Sequence, residues 1–563
     1  VAARSGEQFL QGLRGTKRQL WLEGQRVDDV TTHPALAGGA QTLAGIFDRL
    51  HAFPDECLVP DPETGEPLNV GHMIPRSIDD LKRRNRGLAR IAEATVGLMG
   101  RTPDYMNVKF ASFAGRWKDW LGADGRNEEG AHNLVAFQKR LARQDISLTH
   151  TIIHPTIDKA TDARIVDSRV PVHKIAETAG SIVVRGARIL ATLAPYADEI
   201  AVYPAHPLPA GAEAYALAFS IPVDTPGLLF MCRDSAATPG VPVFDRPLST
   251  RFDEQDAFVI FDDVEIPRER LFIDGRIDLY NTVITTGLRD NMTNQTTIRA
   301  LTKLEFAYGL ATRMAEAIGD ASPATQEMLG ELLDYVEVSR SAVLLSAEHG
   351  RDVGDGVWFP DGRPLAPMRS LLATWFPRVN EILVLIGSHN LLATPSRRQL
   401  DDVRLRPLID EFLHGAKDVD AEERAALFRL AWDFVGSTLA GRNVLYERFY
   451  LASAARNRIG HHVRNVDRSR AYALVDGILA AGRRTGGLAD TVTELDPARR
   501  SGTGFIFDAL AVEALVDAVR RAAAAYRQPA LWKALVKNAM TEDFSWEASA
   551  REYATLYGKA LRP

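Results

Sequence analysis

Leu148-Thr149-His150-Thr151-Ile152-Ile153-His154-Pro155 divides this chain into two textures. Its run of β-branched residues disfavours helix, and Pro155 disfavours helix at the residue before it. Upstream, apolar residues recur at helical spacing among charges from Gly6 to Gln25 and from Thr42 to His51. Ile78 to Met99 reads as one long helix, opened by Ser77 and the acids Asp79 and Asp80 and closed by Gly100. Pro103-Asp104 is expected to turn the chain, with Tyr105 to Trp120 and Asn133 to Asp145 helical again. Downstream, Val172 to Thr178 and Ser181 to Leu190 alternate apolar and polar residues around Ala179-Gly180, which predicts a hairpin. Glu199 to Tyr203, Ala216 to Val223, Leu228 to Arg233 and Ala257 to Phe261 continue as strands between Pro- and Gly-rich turns. Such spacing predicts a compact antiparallel barrel or sandwich. From Asn291 the helical period returns in Thr297 to Ile318, Ala324 to His349, Pro367 to Ile386, Ala421 to Ala440 and Asp508 to Tyr526, the pattern of a bundle. A long loop, Gly354 to Pro367, interrupts it. The expected class is α+β: an N-terminal helical domain over 1–148, a middle antiparallel β-barrel domain over 149–280 and a C-terminal helical bundle over 281–563.

A chain of 563 residues is too long for one ordinary core. Its 46% hydrophobic and 25% charged residues are those of a globular protein, and a net charge of −6 with mixed signs offers no face to nucleic acid or an anionic membrane. The longest apolar runs, such as Ile382 to Ile386, are too short to span a bilayer. Val1 to Gln11 carry no secretion signal, and because Val1 is not Met, native residues are expected to precede it. Two cysteines, Cys57 and Cys232, exclude a four-thiolate metal or iron–sulfur site in one chain and fit a reducing cytoplasm. There is no Gly-x-Gly-x-x-Gly after a strand and no phosphate-binding Walker loop, so no pyridine-nucleotide or ATP site is legible.

Three residues carry the chemistry. Arg101 and Tyr105 flank Pro103-Asp104, and His150 sits in the β-branched run. Cation, phenol and imidazole together can hold and deprotonate an acidic hydroxyl. The residues alone leave a structural reading open, in which Arg101 and Tyr105 pack at a helix junction and His150 satisfies a buried backbone group. His150 and His154 lie four apart, a metal-ligand spacing on a helix but too long a reach along an extended chain, so no metal site is expected. The acids of Asp253 to Pro267 alternate with apolar residues and read as solvated faces and turn caps. Gln295, Arg299 and Lys303 read as helix-surface polarity, and Gly436 to Arg442 as close helix packing.

With Gly100-Arg101-Thr102-Pro103-Asp104-Tyr105, Thr149-His150, Gly186 and Ala191-Thr192-Leu193-Ala194-Pro195, the chain resembles the oxygenase components of two-component, reduced-flavin-dependent phenol hydroxylases, the 4-hydroxyphenylacetate 3-monooxygenase family. The resemblance runs from about Phe9 to the helix after Gly441, and the stretch from Leu488 to Pro563 lies outside it. His154 and Lys159 stand where the family pattern carries Asn and Arg. The resemblance implies an acyl-CoA dehydrogenase-like fold and a monooxygenase that uses FADH2 and molecular oxygen. It implies hydroxylation ortho to a phenolic hydroxyl through a flavin C4a-hydroperoxide. Arg101, Tyr105 and His150 are the implied catalytic residues. The implied flavin contacts are His150, Thr151, Ile152, Thr156, Ile157, Asp158, Lys159 and Thr192, with Ser437, Gly441 and Arg442 near the phosphates and adenosine. The implied partners are a free or carrier-tethered phenol, a separate NAD(P)H-flavin reductase and three further copies in a homotetramer. Rival expectations on the same fold are an acyl-CoA dehydrogenase-type flavoenzyme and a non-catalytic helical scaffold.

Overall fold

The first helix stops earlier than its apolar spacing predicts. In the computed structural model α1 covers Gly6–Gly15, closed at its N-terminus by a reciprocal Ser5–Gln8 capping box. The rest of the predicted helix is extended, as β1 (Gln19–Leu22) and β2 (Gln25–Arg26). Pairing of β1 with a distant strand supplies backbone hydrogen bonds that outweigh a weak helical preference. The chain continues through α2 (Ala37–Ala52), α3 (Pro54–Cys57), the small hairpin β3 (Leu58–Pro60) and β4 (Pro67–Asn69), α4 (Ile78–Glu93), α5 (Pro103–Gly115) and α6 (Glu128–Arg143). The structure describes residues 3–157, 165, 168–204, 206–283, 288–464, 467–485, 491–509, 511–543, 545, 547–548, 550–551 and 553–555.

Two local expectations change here. α4 begins at Ile78 behind its cap Ser77, as predicted, but ends at Glu93 rather than Met99. Val96 and Gly97 take left-handed φ values of 46° and 70°, reversing the chain. A Cβ on Gly97 would lie 2.4 Å from the Arg299 carbonyl oxygen, so only glycine allows this close approach. Pro103-Asp104 is not a turn. Pro103 occupies the first position of α5 behind Thr102, where its fixed φ and missing N–H cost nothing.

Nor do the strands close into a barrel among the described residues. β5 (Leu148–Thr151), β6 (His173–Glu177), β7 (Ser181–Thr192), β8 (Glu199–Val202), β9 (Leu217–Pro222), β10 (Leu228–Cys232), β11 (Asp256–Pro267) and β12 (Leu271–Asp274) belong to two open sheets. Their orders are β2-β1-β10-β11-β7-β6 and β12-β9-β8-β5. The hairpin around Ala179-Gly180 forms, as β6 against β7. Two pairings, β1 with β10 and β5 with β8, are parallel, so the sheets are mixed. The free side of β10 is taken by β1 from the N-terminal segment, and the sheet extends where a barrel would have closed.

Long helices follow at Leu288–Ala317, Pro323–Glu348, Met368–Gly387, Ala421–Val435 and Thr438–Phe449. The last two were expected as one. Ser437 instead caps a new helix, its hydroxyl accepting from Ala440 N. One apolar core runs through the N-terminal helices, both sheets and these helices. The chain divides into two compact units, Val1–His461 and His462–Pro563. The second carries helix Ser469–Thr485 and, around Leu495, Ala525, Leu531 and Leu535, helices Val512–Tyr526 and Pro529–Thr541. Among the described residues no helix is long and apolar enough to cross a membrane.

Candidate active site

Every residue of α5 from Pro103 to Ala114 is buried, because β5, α6 and the helix Leu288–Ala317 surround it. Arg101 enters just before this helix. Its guanidinium carbon lies 4.0 Å from the centroid of the Tyr105 ring, 4.9 Å from Tyr450 and 5.7 Å from Tyr446. The preceding Gly100 leaves room for Tyr446, whose hydroxyl would sit 2.0 Å from a Cβ there. Glu254 accepts from the Arg101 backbone N–H, while Arg101 Nη1 has no hydrogen-bond partner among the described residues.

β5 delivers His150 to the same place. Its imidazole packs against Tyr105 with centroids 5.5 Å apart and planes 20° from parallel, and against Tyr203 at 5.6 Å and 28°. Tyr203 directly follows β8, the strand paired with β5. Lys109, four residues beyond Tyr105 and so on the same face of α5, holds its Nζ 3.9 Å from the Tyr203 centroid. Thus Arg101, Tyr105 and His150 are brought together, and Tyr203, Lys109, Tyr446 and Tyr450 join them. The sequence reading missed these four. The available signal was a lysine one helical turn from Tyr105, the single cation of its helix.

The chamber is electropositive. Among the described residues no carboxylate pairs with the side chain of Arg101, Lys109 or Arg369. Burial, reinforced by Arg101 and Lys109, holds the His150 imidazole well below its ordinary pKa, so it is neutral at neutral pH. Burial together with Arg101 and Arg369 pushes Lys109 well below the usual lysine range. Burial raises Tyr203 well above 10, and its hydroxyl has no partner among the described residues. Asp104 is pushed up to about 6 by burial, against hydrogen bonds from Thr102 and Gln295.

The flavin residues implied by the resemblance fall into two groups. His150, Thr151 and Ile152 run beside β7. Thr149 Oγ1 donates to the Thr192 carbonyl at 2.6 Å, Thr151 Oγ1 to Ile189 O at 3.2 Å, and Arg188 Nη1 to Ile152 O at 2.9 Å. Thr156 and Ile157 are exposed beyond Pro155, whereas Asp158 and Lys159 lie outside the described residues. Ile153, Ile157 and Leu190 are exposed, and of these Ile153, bridged to Ile189, and Leu190 lie on or beside β7 close to the buried Thr192. Leu190 and Leu193 both take left-handed φ values, 60° and 64°, so the backbone about Thr192 is strained. An apolar surface with a fixed hydroxyl and strained backbone fits a flat ring system with a polar edge.

The second group is tied to the first through acids. Arg442 Nη2 contacts Asp256 Oδ1 at 2.9 Å, Arg442 Nη1 contacts Glu254 at 2.7 Å, and Thr192 Oγ1 donates to Asp256 Oδ1 at 2.7 Å. The guanidinium is therefore committed to these carboxylates. Ser437 caps its helix, and Gly441 has open space around its Cα. Asp253, Glu254 and Asp256 are buried rather than solvated, paired with Arg233 and Arg442, while Asp262 and Asp263 are exposed as expected. Arg299 and Lys303 are likewise not surface groups. Both pair with the buried Glu447, at 3.0 Å from Arg299 Nη2 and 2.9 Å from Lys303 Nζ. Burial alone would raise Glu447, but the two cations outweigh it and bring its pKa to about 2.

Comparison with known proteins identifies the family. The family described as 4-hydroxyphenylacetate 3-hydroxylase N terminal matches residues 5–273, and its C-terminal counterpart matches residues 280–480. The oxygenase component of 4-hydroxyphenylacetate 3-monooxygenase from Thermus thermophilus is 37% identical over 457 residues, 81% of this chain and 93% of that protein. The oxygenase component of 4-nitrophenol 2-monooxygenase from a Rhodococcus species is 32% identical over 466 residues, 80% of this chain and 86% of that protein. A crystal structure of the oxygenase component of 4-hydroxyphenylacetate 3-monooxygenase, complexed with FAD and 4-hydroxyphenylacetate, aligns with a TM-score of 0.80 and 34% identity over 86% of this chain and 99% of that one. The fold is thus the mixed helix-and-sheet one of these oxygenase components, α+β as expected, without the barrel among the described residues. Both halves of the family pattern are matched in order on one chain, with the Arg101–Tyr105–His150 set assembled in its interior, and the chain belongs to the 4-hydroxyphenylacetate 3-hydroxylase family.

Proposed function

We propose that this protein hydroxylates a phenol ortho to its hydroxyl, using FAD reduced by a separate NAD(P)H-flavin reductase and molecular oxygen. Family membership makes it a flavin-dependent aromatic monooxygenase. The observation that carries the finer reading is the buried contact series Arg101, Tyr105, His150 and Tyr203 in a chamber whose cations lack paired acids. A phenol has a pKa near ~10, and its ring is weakly nucleophilic until the proton leaves. Arg101 stabilises the phenolate, and the neutral His150 accepts the phenolic proton at a ring nitrogen. Tyr105 and Tyr203 hold the imidazole between their faces and leave it little freedom to turn away. Bound reduced flavin supplies the activation of oxygen. Thr151, Ile152, Thr156, Ile157 and Thr192 are proposed to hold the flavin ring, with Ser437 and Gly441 towards its phosphates. Arg442 is proposed to act one step removed, by fixing Asp256 and through it the Thr192 hydroxyl.

The three-part division at 148 and 280, a cytoplasmic location and a homotetramer belong to the same proposal. Exposed apolar side chains on the long helices, among them Leu344, Leu385, Leu445 and Phe449, support association, and light scattering returning a monomer would remove it. The reaction is tested by incubating the protein with reduced FAD, oxygen and a panel of phenols and weighing the products. A product one oxygen heavier is expected. Its absence with every phenol, while reduced FAD binds, would overturn the reading.

A further inference from the structure

We propose that Lys109 is a second phenolate-stabilising cation of this chamber, contacting the substrate's oxyanion alongside Arg101. The inference rests on the phenol-site reading above and adds a residue to it. Lys109 is the single cation in α5, a helix buried on every side, and is itself 8% exposed. A lysine on a surface helix keeps its ammonium in water, but this one ends over the Tyr203 ring at 3.9 Å and 5.9 Å from Phe113. Among the described residues nothing accepts a hydrogen bond from Nζ and no acid pairs with it. The Tyr203 hydroxyl beside it is also without a partner. A buried hydroxyl without a partner, on the ring that the Lys109 ammonium covers, marks where a ligand atom completes the hydrogen bonding.

The surroundings select the ligand's chemistry. Arg101 and Arg369 add positive charge, His150 is neutral, and Tyr105 and Tyr203 contribute rings and hydroxyls, so an anion is wanted. The flat faces of Tyr105, His150 and Tyr203 ask for an aromatic ring carrying that anion. Burying an unpaired ammonium is costly, and a Met or Leu would fill the same space without that cost. Burial, with Arg101 and Arg369, pushes Lys109 down and an anion beside it opposes that shift, so anion binding and lysine protonation are coupled.

The test uses 4-nitrophenol, whose phenolate absorbs visible light, titrated against pH on the full-length protein without flavin. Wild type should lower the apparent pKa of the bound nitrophenol. Lys109→Met should give back about one unit, a roughly tenfold loss of bound phenolate at a fixed pH, and Lys109→Arg should restore most of it. Thermal melts confirm folding, and Lys109→Gln serves if the Met variant does not fold. An unchanged shift in Lys109→Met or Lys109→Gln, with the shift lost in Arg101→Met, overturns the role of Lys109 and leaves the phenol site standing. No shift in the wild type, or one that neither position alters, overturns the phenol-site reading as well.

Discussion

Replacing His150 with alanine separates the two things this imidazole does. The ring is held between Tyr105 and Tyr203 at 5.5 and 5.6 Å, so truncation removes two ring contacts. At ~0.5–1.5 kcal/mol each, their loss costs about 1–3 kcal/mol of stability. The catalytic loss is larger. Removing a positioned base slows proton transfer by ~10²–10⁴-fold, about 2.7–5.4 kcal/mol of barrier. Thermal unfolding reads the first effect. Single-turnover hydroxylation with reduced FAD reads the second, with consumed oxygen appearing as hydrogen peroxide instead of product. Raising the pH towards the phenol's own pKa should restore coupling, because the substrate then arrives as phenolate. A more acidic fluorinated phenol should do the same. Arg101→Ala should lose coupling at every pH, since the phenolate itself is no longer held. In the wild type the base is the neutral imidazole and its pKa is depressed, so hydroxylation should stay level as pH falls through 6.5 and drop only well below it. A His150→Ala variant that responds to neither pH nor phenol acidity would refute the base assignment.

Acid should destabilise the fold earlier than carboxylates alone require. Burial, followed by nearby arginines, lowers His154 to about 3 and also lowers His206, and His150 lies well below 6.5. The unfolded chain takes up these protons below about 6.5 while the native state does not, so stability is full above that pH. It falls as pH drops towards 3, by up to about 1.4 kcal/mol per pH unit for the buried His150 and by less for the partly exposed His154 and the exposed His206, whose shifts solvent screens, and urea unfolding at pH 7.5 and 5.5 should show the difference. Glu447→Gln leaves Arg299 and Lys303 buried without their counter-charge and should cost about 3–5 kcal/mol. A loss under about 1 kcal/mol in the same unfolding assay would show that the two cations find other partners.

The order helix, sheet, helix was legible because it depends on local period. The alternation about Ala179-Gly180 became β6 and β7, and the capping Ser77 opened α4 where expected. Arg101, Tyr105 and His150 were legible only as a matched pattern, since each residue type has an equally good structural use. Lys109 shows the limit. Its letter is visible in Met106-Asn107-Val108-Lys109-Phe110, but its burial depends on β5, α6 and a helix beginning at Leu288.

Local sequence thus determined most of the helices and strands, though not β1 and β2, because propensity and hydrophobic period act over a few residues. Only the tertiary structure decided that β1 extends the first sheet and keeps it from closing, and that Glu254 and Asp256 face Arg442 rather than water. It also decided that Glu447 answers Arg299 and Lys303. A charged side chain reads the same in sequence whether it is solvated or paired. The partner that makes burial affordable lies far along the chain, 148 residues away for Arg299 and Glu447, and is met only when the fold closes.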